Sequence, residues 1–306
     1  MRIGFIGLGM MGSRMVANLQ KTGQHELVVY DVRREAGEAA LAAGARWAET
    51  PADAARQSEI LMTSLPGPRE VEAVAVGAHG IADGGQPGLI WAELSTSSPT
   101  LIRRLHKDLG ERGIKVVDAP VSGGIAGAQD ATLQIMVGCE PELFEQLKPV
   151  LAGIGDKVGY MGLIGAGEIA KLVHNQIALV VAQVVAEGLT LGVKAGVEPE
   201  RLLEAIRGGA YGRGGGGIGN SIESIVFTRN WDSPRFALAL ARKDLGLATD
   251  LGNEMGVPMP LAALAEQALI ECLNRGWGGK DMTATWALQE ERAQVEVRGT
   301  ARVATT

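Results

Sequence analysis

Cysteine is almost missing from this chain: there are two among 306 residues, Cys139 and Cys272. They lie far apart, form no CxxC pair and have no histidine cluster beside them, which leaves neither a disulfide framework nor a metal signature. Both read as buried thiols in a reducing cytoplasm. A basic surplus is missing too, with 29 Lys and Arg against 35 Asp and Glu, a formal charge of −6. No clustered Lys and Arg run exists to displace counterions, so no nucleic-acid partner is expected. Long apolar runs are also lacking. The longest, Ile177 to Ala186, is too short to span a bilayer and contains Gln183, so it reads as a buried helix and no membrane partner is expected. The opening residues Met1-Arg2-Ile3-Gly4-Phe5-Ile6 leave no space for a charged and then apolar leader, and the N-terminus is expected to be unprocessed.

What is present is ordinary in hydrophobic content, at 46%, but rich in glycine, with 43 residues. The length suits two cores rather than one. From residue 1 to about 162, short β-rich runs alternate with helical patterns: Arg2 to Ile6, Glu26 to Tyr30, Ile60 to Ser64, Leu89 to Glu93, Lys115 to Asp118 and Thr132 to Val137. That alternation predicts an α/β, Rossmann-type, doubly wound parallel sheet over residues 1–163. Helices are expected over Met10 to Lys21 and Ser98 to Gly110, the second with Pro99 at its first position. Beyond Gly165-Ala166-Gly167 the strand pattern stops. Apolar residues at helical spacing, through Leu202, Ile206, Leu238, Leu245, Leu264 and Leu269, predict an all-α domain over 164–294. Its first helix, about 168–194, begins polar and becomes apolar all round, which reads as a buried interdomain spine. Residues 295–306 lack periodicity and are expected to form a loose tail.

The first strand runs directly into Gly7-Leu8-Gly9-Met10-Met11-Gly12. A GxGxxG between a strand and a helix gives a tight turn, close approach of a pyrophosphate, and a helix N-terminus facing the phosphates. Asp31 ends the second strand, where a carboxylate can accept from both hydroxyls of an adenosine ribose and repel a 2′-phosphate. This favours NAD. Arg33 and Arg34 leave NADP open, because either can meet that phosphate.

Lys171 and Asn175 stand at i and i+4 of the expected spine helix and share one face. By spacing alone that face is a solvated one. A lysine serving as a base near neutrality would need desolvation or a second positive charge beside it.

Four segments carry a resemblance: Phe5 to Gly12, Asp118-Ala119-Pro120-Val121-Ser122-Gly123-Gly124, Gly165 to Asn175, and Lys243-Asp244. In this order and register, the chain resembles the β-hydroxyacid dehydrogenases, whose members act on 3-hydroxyisobutyrate, tartronate semialdehyde and 2-(hydroxymethyl)glutarate. The resemblance implies an NAD(P)-dependent enzyme in which Lys171 is the general acid/base at the substrate hydroxyl or carbonyl. It implies that Asn175 holds the substrate, and that Ser122, Gly123 and Gly124 bind its carboxylate. It places the cofactor on Leu65-Pro66 and Ser95-Thr96 as well as the glycine turn, and has Lys243 reach the cofactor or substrate with Asp244 as a structural partner. Phe236 is either a cover for the nicotinamide or a core aromatic. A small anionic hydroxyacid or semialdehyde substrate and a homo-oligomer, dimer or tetramer, are implied as well.

The chain departs from the family pattern at Glu93, where many relatives have Asp, and at His174, where many have Asn. It also has an unusual glycine density through Gly212 to Gly219, expected to form a loop in which Arg213 either pairs with an anionic substrate or is solvated. The long extra helical domain of a 6-phosphogluconate dehydrogenase is lacking. Two alternatives stay open: an imine reductase-like enzyme, against which Lys171 argues, and a non-catalytic dinucleotide-binding regulator, against which Lys171, Asn175 and Lys243 argue.

Overall fold

The computed structural model describes residues 1–209 and 222–299. The chain divides into two compact units, Met1–Leu172 and a second beginning at Val173. The glycine segment with Arg213 lies outside the described residues.

The first unit is built on one sheet of nine strands. Strands β1 (Arg2–Ile6), β2 (Glu26–Tyr30), β3 (Arg46–Trp47), β4 (Ile60–Thr63), β5 (Ile90–Glu93) and β6 (Lys115–Asp118) are parallel in the order 3-2-1-4-5-6. The central strands are apolar on both faces, as a sheet covered by helices on each side demands. One face packs on Met15, Val16 and Leu19, and the other on Ile102, Leu105 and Leu109. Strand order reverses between β1 and β4, which opens a crevice beyond their carboxyl ends.

The doubly wound parallel sheet expected is present, and its far edge adds a reversal. There β7 (Val121–Ser122) and β8 (Gln134–Gly138) run antiparallel to each other, and β8 is antiparallel to β6. The residues after β6 turn at Pro120 and return through a short helix, Gly124–Asp130, too brief to carry the chain back for a parallel crossover. β9 (Lys157–Gly162) then pairs parallel with β8. β3, β7 and β9 were not visible as patterns, because two of them have only two residues and β9 carries two glycines.

Helix α1 (Gly12–Lys21) starts later than its apolar spacing predicts, since Met10 and Met11 belong to the glycine turn. The helix Pro99–Gly110 matches expectation closely. Pro99 is its first residue, and the Ser98 side chain accepts a hydrogen bond from the Leu101 amide.

The long helix Ala166–Lys194 has 29 residues. It is not the buried spine expected: only 22% of its most apolar 18-residue stretch is buried. Val173, Ile177, Val184 and Leu191 fall on one exposed stripe, at helical spacing. By length and composition it is the one described helix able to cross a bilayer. Its other face is packed, with Leu179, Ala186 and Leu189 in the core, Asn175 buried among them and Gln183 donating to Thr285 Oγ1 at 2.9 Å.

The second unit is helical among its described residues, with Pro199–Gly208, Leu238–Glu254, Pro260–Asn274 and Thr285–Ala293. Leu238, Leu245 and Leu269 enter its core as their spacing predicts, whereas Leu264 is 69% exposed. The tail is anchored further than expected. Val297 is fully buried beside Leu189, Val226 and Trp286, and its amide donates to Glu290 Oε1 at 2.7 Å. Its apolar side chain fills a core position that no periodic pattern marks.

Candidate functional site

The turn after β1 is closed at two of its glycines and open at the third. Gly7 holds φ +94°, and a Cβ there would lie 2.2 Å from Ser64 O, so only glycine fits. A Cβ on Gly12 would lie 1.9 Å from Gly7 O, which keeps α1 tight against the turn. Gly9 is different: a Cβ there meets nothing within 4 Å. The turn therefore presents bare backbone outward at the helix N-terminus, where the first amides lack intrahelical partners. That is the cradle a pyrophosphate requires, and the residues present fit a dinucleotide. Met10, at 57% exposure, and Met11 flank it.

Asp31 at the end of β2 has a second task that its spacing does not reveal. One carboxylate oxygen accepts the Leu8 amide at 2.8 Å and the other accepts the Arg33 amide at 2.9 Å. Asp31 thus ties the glycine turn to β2 while keeping spare lone pairs for a ribose diol. Arg33 approaches Asp31 at 3.8 Å, and Arg34 stacks over Trp47 and pairs with Glu49.

The loops after β4 and β5 are joined to one another. Leu65 donates its amide to Ser95 Oγ at 2.8 Å, and the Ser95 amide donates to Glu93 Oε1 at 2.9 Å. Glu93 is wholly buried. Pro66 and Thr96 follow in the same two loops, beyond the carboxyl ends of the parallel strands.

Asp118, the last residue of β6, is also wholly buried. Its carboxylate accepts the Gly165 amide at 2.7 Å and the Glu168 amide at 2.8 Å. Burial pushes its pKa up to about 6 against the opposing pull of those backbone donors. The side chain of Glu168 accepts the Ser97 amide at 3.0 Å. Lys171 follows one turn later on the long helix, 7% exposed, and Asn175 one turn beyond it, 8% exposed. Neither belongs to a solvated face. Ser122, half-buried, and the exposed Gly123 and Gly124 lie immediately after the same β6, with φ +135° and +63° at the two glycines.

In the second unit Asp244 holds two of the expected residues together. One of its oxygens accepts from Asn175 Nδ2 at 2.6 Å and the other meets Lys243 Nζ at 2.8 Å. Phe236 packs against the core of that unit, the plainer of its two readings. His174 is exposed. Sequence reasoning missed the work of Asp118, Glu168 and Ser97, and it gave Asp244 as a partner of Lys243 without its hold on Asn175. A Glu three residues after a glycine at a helix start was the available signal for the first two. Among the described residues no cluster of His, Cys, Asp and Glu could hold a metal ion. Both cysteines are buried, and burial pushes the Cys139 thiol up to about 12 and that of Cys272 up to about 11.

A dinucleotide cradle at the switch point of a parallel sheet, with a buried lysine at the sheet's carboxyl edge, defines an NAD(P)-dependent oxidoreductase. Residues 2–162 match the NAD binding domain of 6-phosphogluconate dehydrogenase, and residues 165–288 match the NAD-binding domain of NADP-dependent 3-hydroxyisobutyrate dehydrogenase. The chain is 38% identical to the 2-(hydroxymethyl)glutarate dehydrogenase of Eubacterium barkeri, over 97% of this chain and 98% of that one. It is 34% identical to the NAD-dependent L-serine dehydrogenase of Pseudomonas aeruginosa, over 94% and 97%. Among solved structures it is similar to Mycobacterium tuberculosis 3-hydroxyisobutyrate dehydrogenase with L-serine, at TM-score 0.84 and 28% identity, over 94% and 98%. The chain belongs to the β-hydroxyacid dehydrogenase family.

Proposed function

We propose that this enzyme moves a hydride between NAD and a small 3-hydroxyacid or its semialdehyde, with Lys171 as general acid/base. The observation that carries this reading is the shared anchor of its parts. Lys171 stands on a helix whose first turn is held by Asp118, and the Ser122 to Gly124 turn leaves the sheet from that same strand end. The nicotinamide supplies or takes the hydride when bound. Lys171 gives or takes the proton at the substrate oxygen, as a buried cation on a rigid helix is placed to do. Ser122 Oγ and the backbone amides of Gly123 and Gly124 hold the carboxylate, because glycine lets an anion approach the main chain. In the second unit the residues offered for ligand contact are Asn175, its amide turned by Asp244, and Lys243, paired with the same carboxylate. We read the two buried thiols as a cytoplasmic trait, and the exposed stripe from Val173 to Leu191 as the surface on which a second copy packs in a dimer or tetramer.

Reduced-cofactor formation with a panel of short 3-hydroxyacids tests the reaction. Activity with cyclic imines alone would favour the imine-reductase reading, and no turnover at all would favour a binding protein. Ser122→Ala is expected to raise KM for the acid by about tenfold to a hundredfold, the scale of a hydrogen bond to a charge, with cofactor binding unchanged. Gly123→Val is the poorer probe. At φ +135° any side chain strains the backbone before it meets a substrate.

Asp31 favours NAD over NADP. Asp31→Asn is expected to narrow that preference and also to weaken both cofactors, since the amide replaces one of the acceptors that hold Leu8 and Arg33. A wild-type preference for NADP in initial-rate measurements would refute the assignment and point to Arg33.

A further inference from the structure

The start of the Lys171 helix lacks the local cap that its sequence allows. In a capping box the N-cap side chain takes the N3 amide, and the N3 glutamate reaches back to the N-cap amide. Here Gly165 is the N-cap, its carbonyl accepting the Ile169 amide, and it has no side chain to offer. Glu168 stands at N3, yet its carboxylate turns to the Ser97 amide instead. Both amides of the missing box are taken by Asp118, from another element.

The fit around that carboxylate leaves little freedom. A Cβ on Gly138 would lie 2.4 Å from Asp118 Oδ1, and one on Gly167 would lie 2.9 Å from Oδ2 and 2.2 Å from Met136 O. Two distant segments, the end of β8 and the helix start, thus close on one buried side chain. An anion at a helix N-terminus is favoured by the helix dipole, and two charge-assisted bonds from rigid backbone fix the helix in rotation as well as position. Glu168 then adds a second tie, from the same turn to the loop that contains Thr96.

We propose that Asp118 and Glu168 form a two-carboxylate clasp that positions Lys171, Asp118 setting the helix on the sheet and Glu168 coupling its first turn to the loop after β5. This rests on Lys171 being the general acid/base. Neither residue touches the reacting atoms; both act through the helix. The groups around Asp118 are Glu93, its register partner on β5, Cys139 beside β8, and Glu168 on the helix. The Cys139 thiol stays neutral throughout the working range. With both oxygens of Asp118 accepting amides, uptake of a proton near pH 6 adds one O–H donor and leaves acceptor capacity for the amides. Because the closed site holds that proton more tightly than an exposed carboxyl would, protonation does not open the clasp.

The test pairs kinetics with amide hydrogen exchange at Gly165, Gly167 and Glu168 in wild type, Asp118→Asn and Lys171→Ala, at pH 5 and 7.5. Asp118→Asn is expected to lower kcat by about tenfold to a hundredfold, the scale of an ångström-sized misplacement, while the NAD dissociation constant stays within about threefold. The protection factors of the three amides, each referred to the intrinsic exchange rate at its own pH, should fall in this variant at both pH values. Unaltered exchange, or a kcat within twofold of wild type, would overturn the clasp. Lys171→Ala keeps the amides protected, so its normal turnover would refute the role of Lys171 while the exchange data still judged the clasp. Should Asp118→Asn fail to fold, Glu168→Leu is expected to lower kcat and Glu168→Gln, whose carbonyl oxygen accepts the Ser97 amide, to recover most of it. Equal activity of Glu168→Leu and wild type would overturn the proposal.

Discussion

Lys171→Ala is expected to lower kcat by about a hundredfold to ten-thousandfold and leave the NAD dissociation constant within a few-fold of wild type. The size follows from what is removed. A side chain only 7% exposed on a clasped helix has little freedom, so its proton is delivered without a search, and water entering the space left by alanine arrives unoriented. The cofactor cradle sits in the β1 turn and does not use this lysine. The pH–rate profile of the variant should lack the limb that reports the base. Turnover within threefold of wild type would remove Lys171 from the chemistry.

The second large effect is expected in the glycine turn, where two substitutions should fail in different ways. In Gly12→Val the new Cβ would lie 1.9 Å from Gly7 O and 3.0 Å from the ring of Phe5, a core residue, so both the fold and the cradle are disturbed. Overpacking of this kind costs about 1–3 kcal/mol or more, and NAD affinity should fall by at least about a hundredfold with a lowered Tm. In Gly9→Ala the added methyl meets nothing in the protein, so Tm should stay as in wild type. The methyl would nevertheless occupy the place of the pyrophosphate, and affinity should drop by about tenfold or more. Calorimetric titration with NAD measures both. Gly9→Ala binding NAD normally would move the pyrophosphate away from this turn.

Strands β1, β2, β4, β5 and β6 were legible because apolar runs bounded by turn residues recur at βα spacing, and the glycine turn because it stands between a strand and a helix. β3 and β7 are two-residue pairings created by neighbours, not by local propensity. The reversal at β8 is a topological fact that periodicity does not encode. The long helix misled for a related reason. An apolar surface on all sides predicts burial but does not say within what, and the stripe from Val173 to Leu191 is exposed among the described residues. At the site, Gly7 to Gly12, Asp31, Lys171 and Ser122 to Gly124 were nominated by type and motif. The residues that orient them were not. Asp118, Glu168 and Asp244 act across 47, 71 and 69 positions of sequence, at Gly165, Ser97 and Asn175 respectively, distances at which a local pattern carries no information.

Val297 sets the order in which the two units are finished during translation. The first unit has its whole sheet, and Asp118 its amide partners, once Leu172 has emerged from the ribosome, so it is able to fold while the rest is being made. The second unit gains no such head start. Its core around Leu189, Val226 and Trp286 keeps an open place until residue 297 has emerged, and Glu290 waits for the same residue's amide. A stalled or nicked chain that stops short of Val297 would therefore present a finished nucleotide-binding half joined to a helical half with a hole in it, the kind of surface that protein quality control recognises.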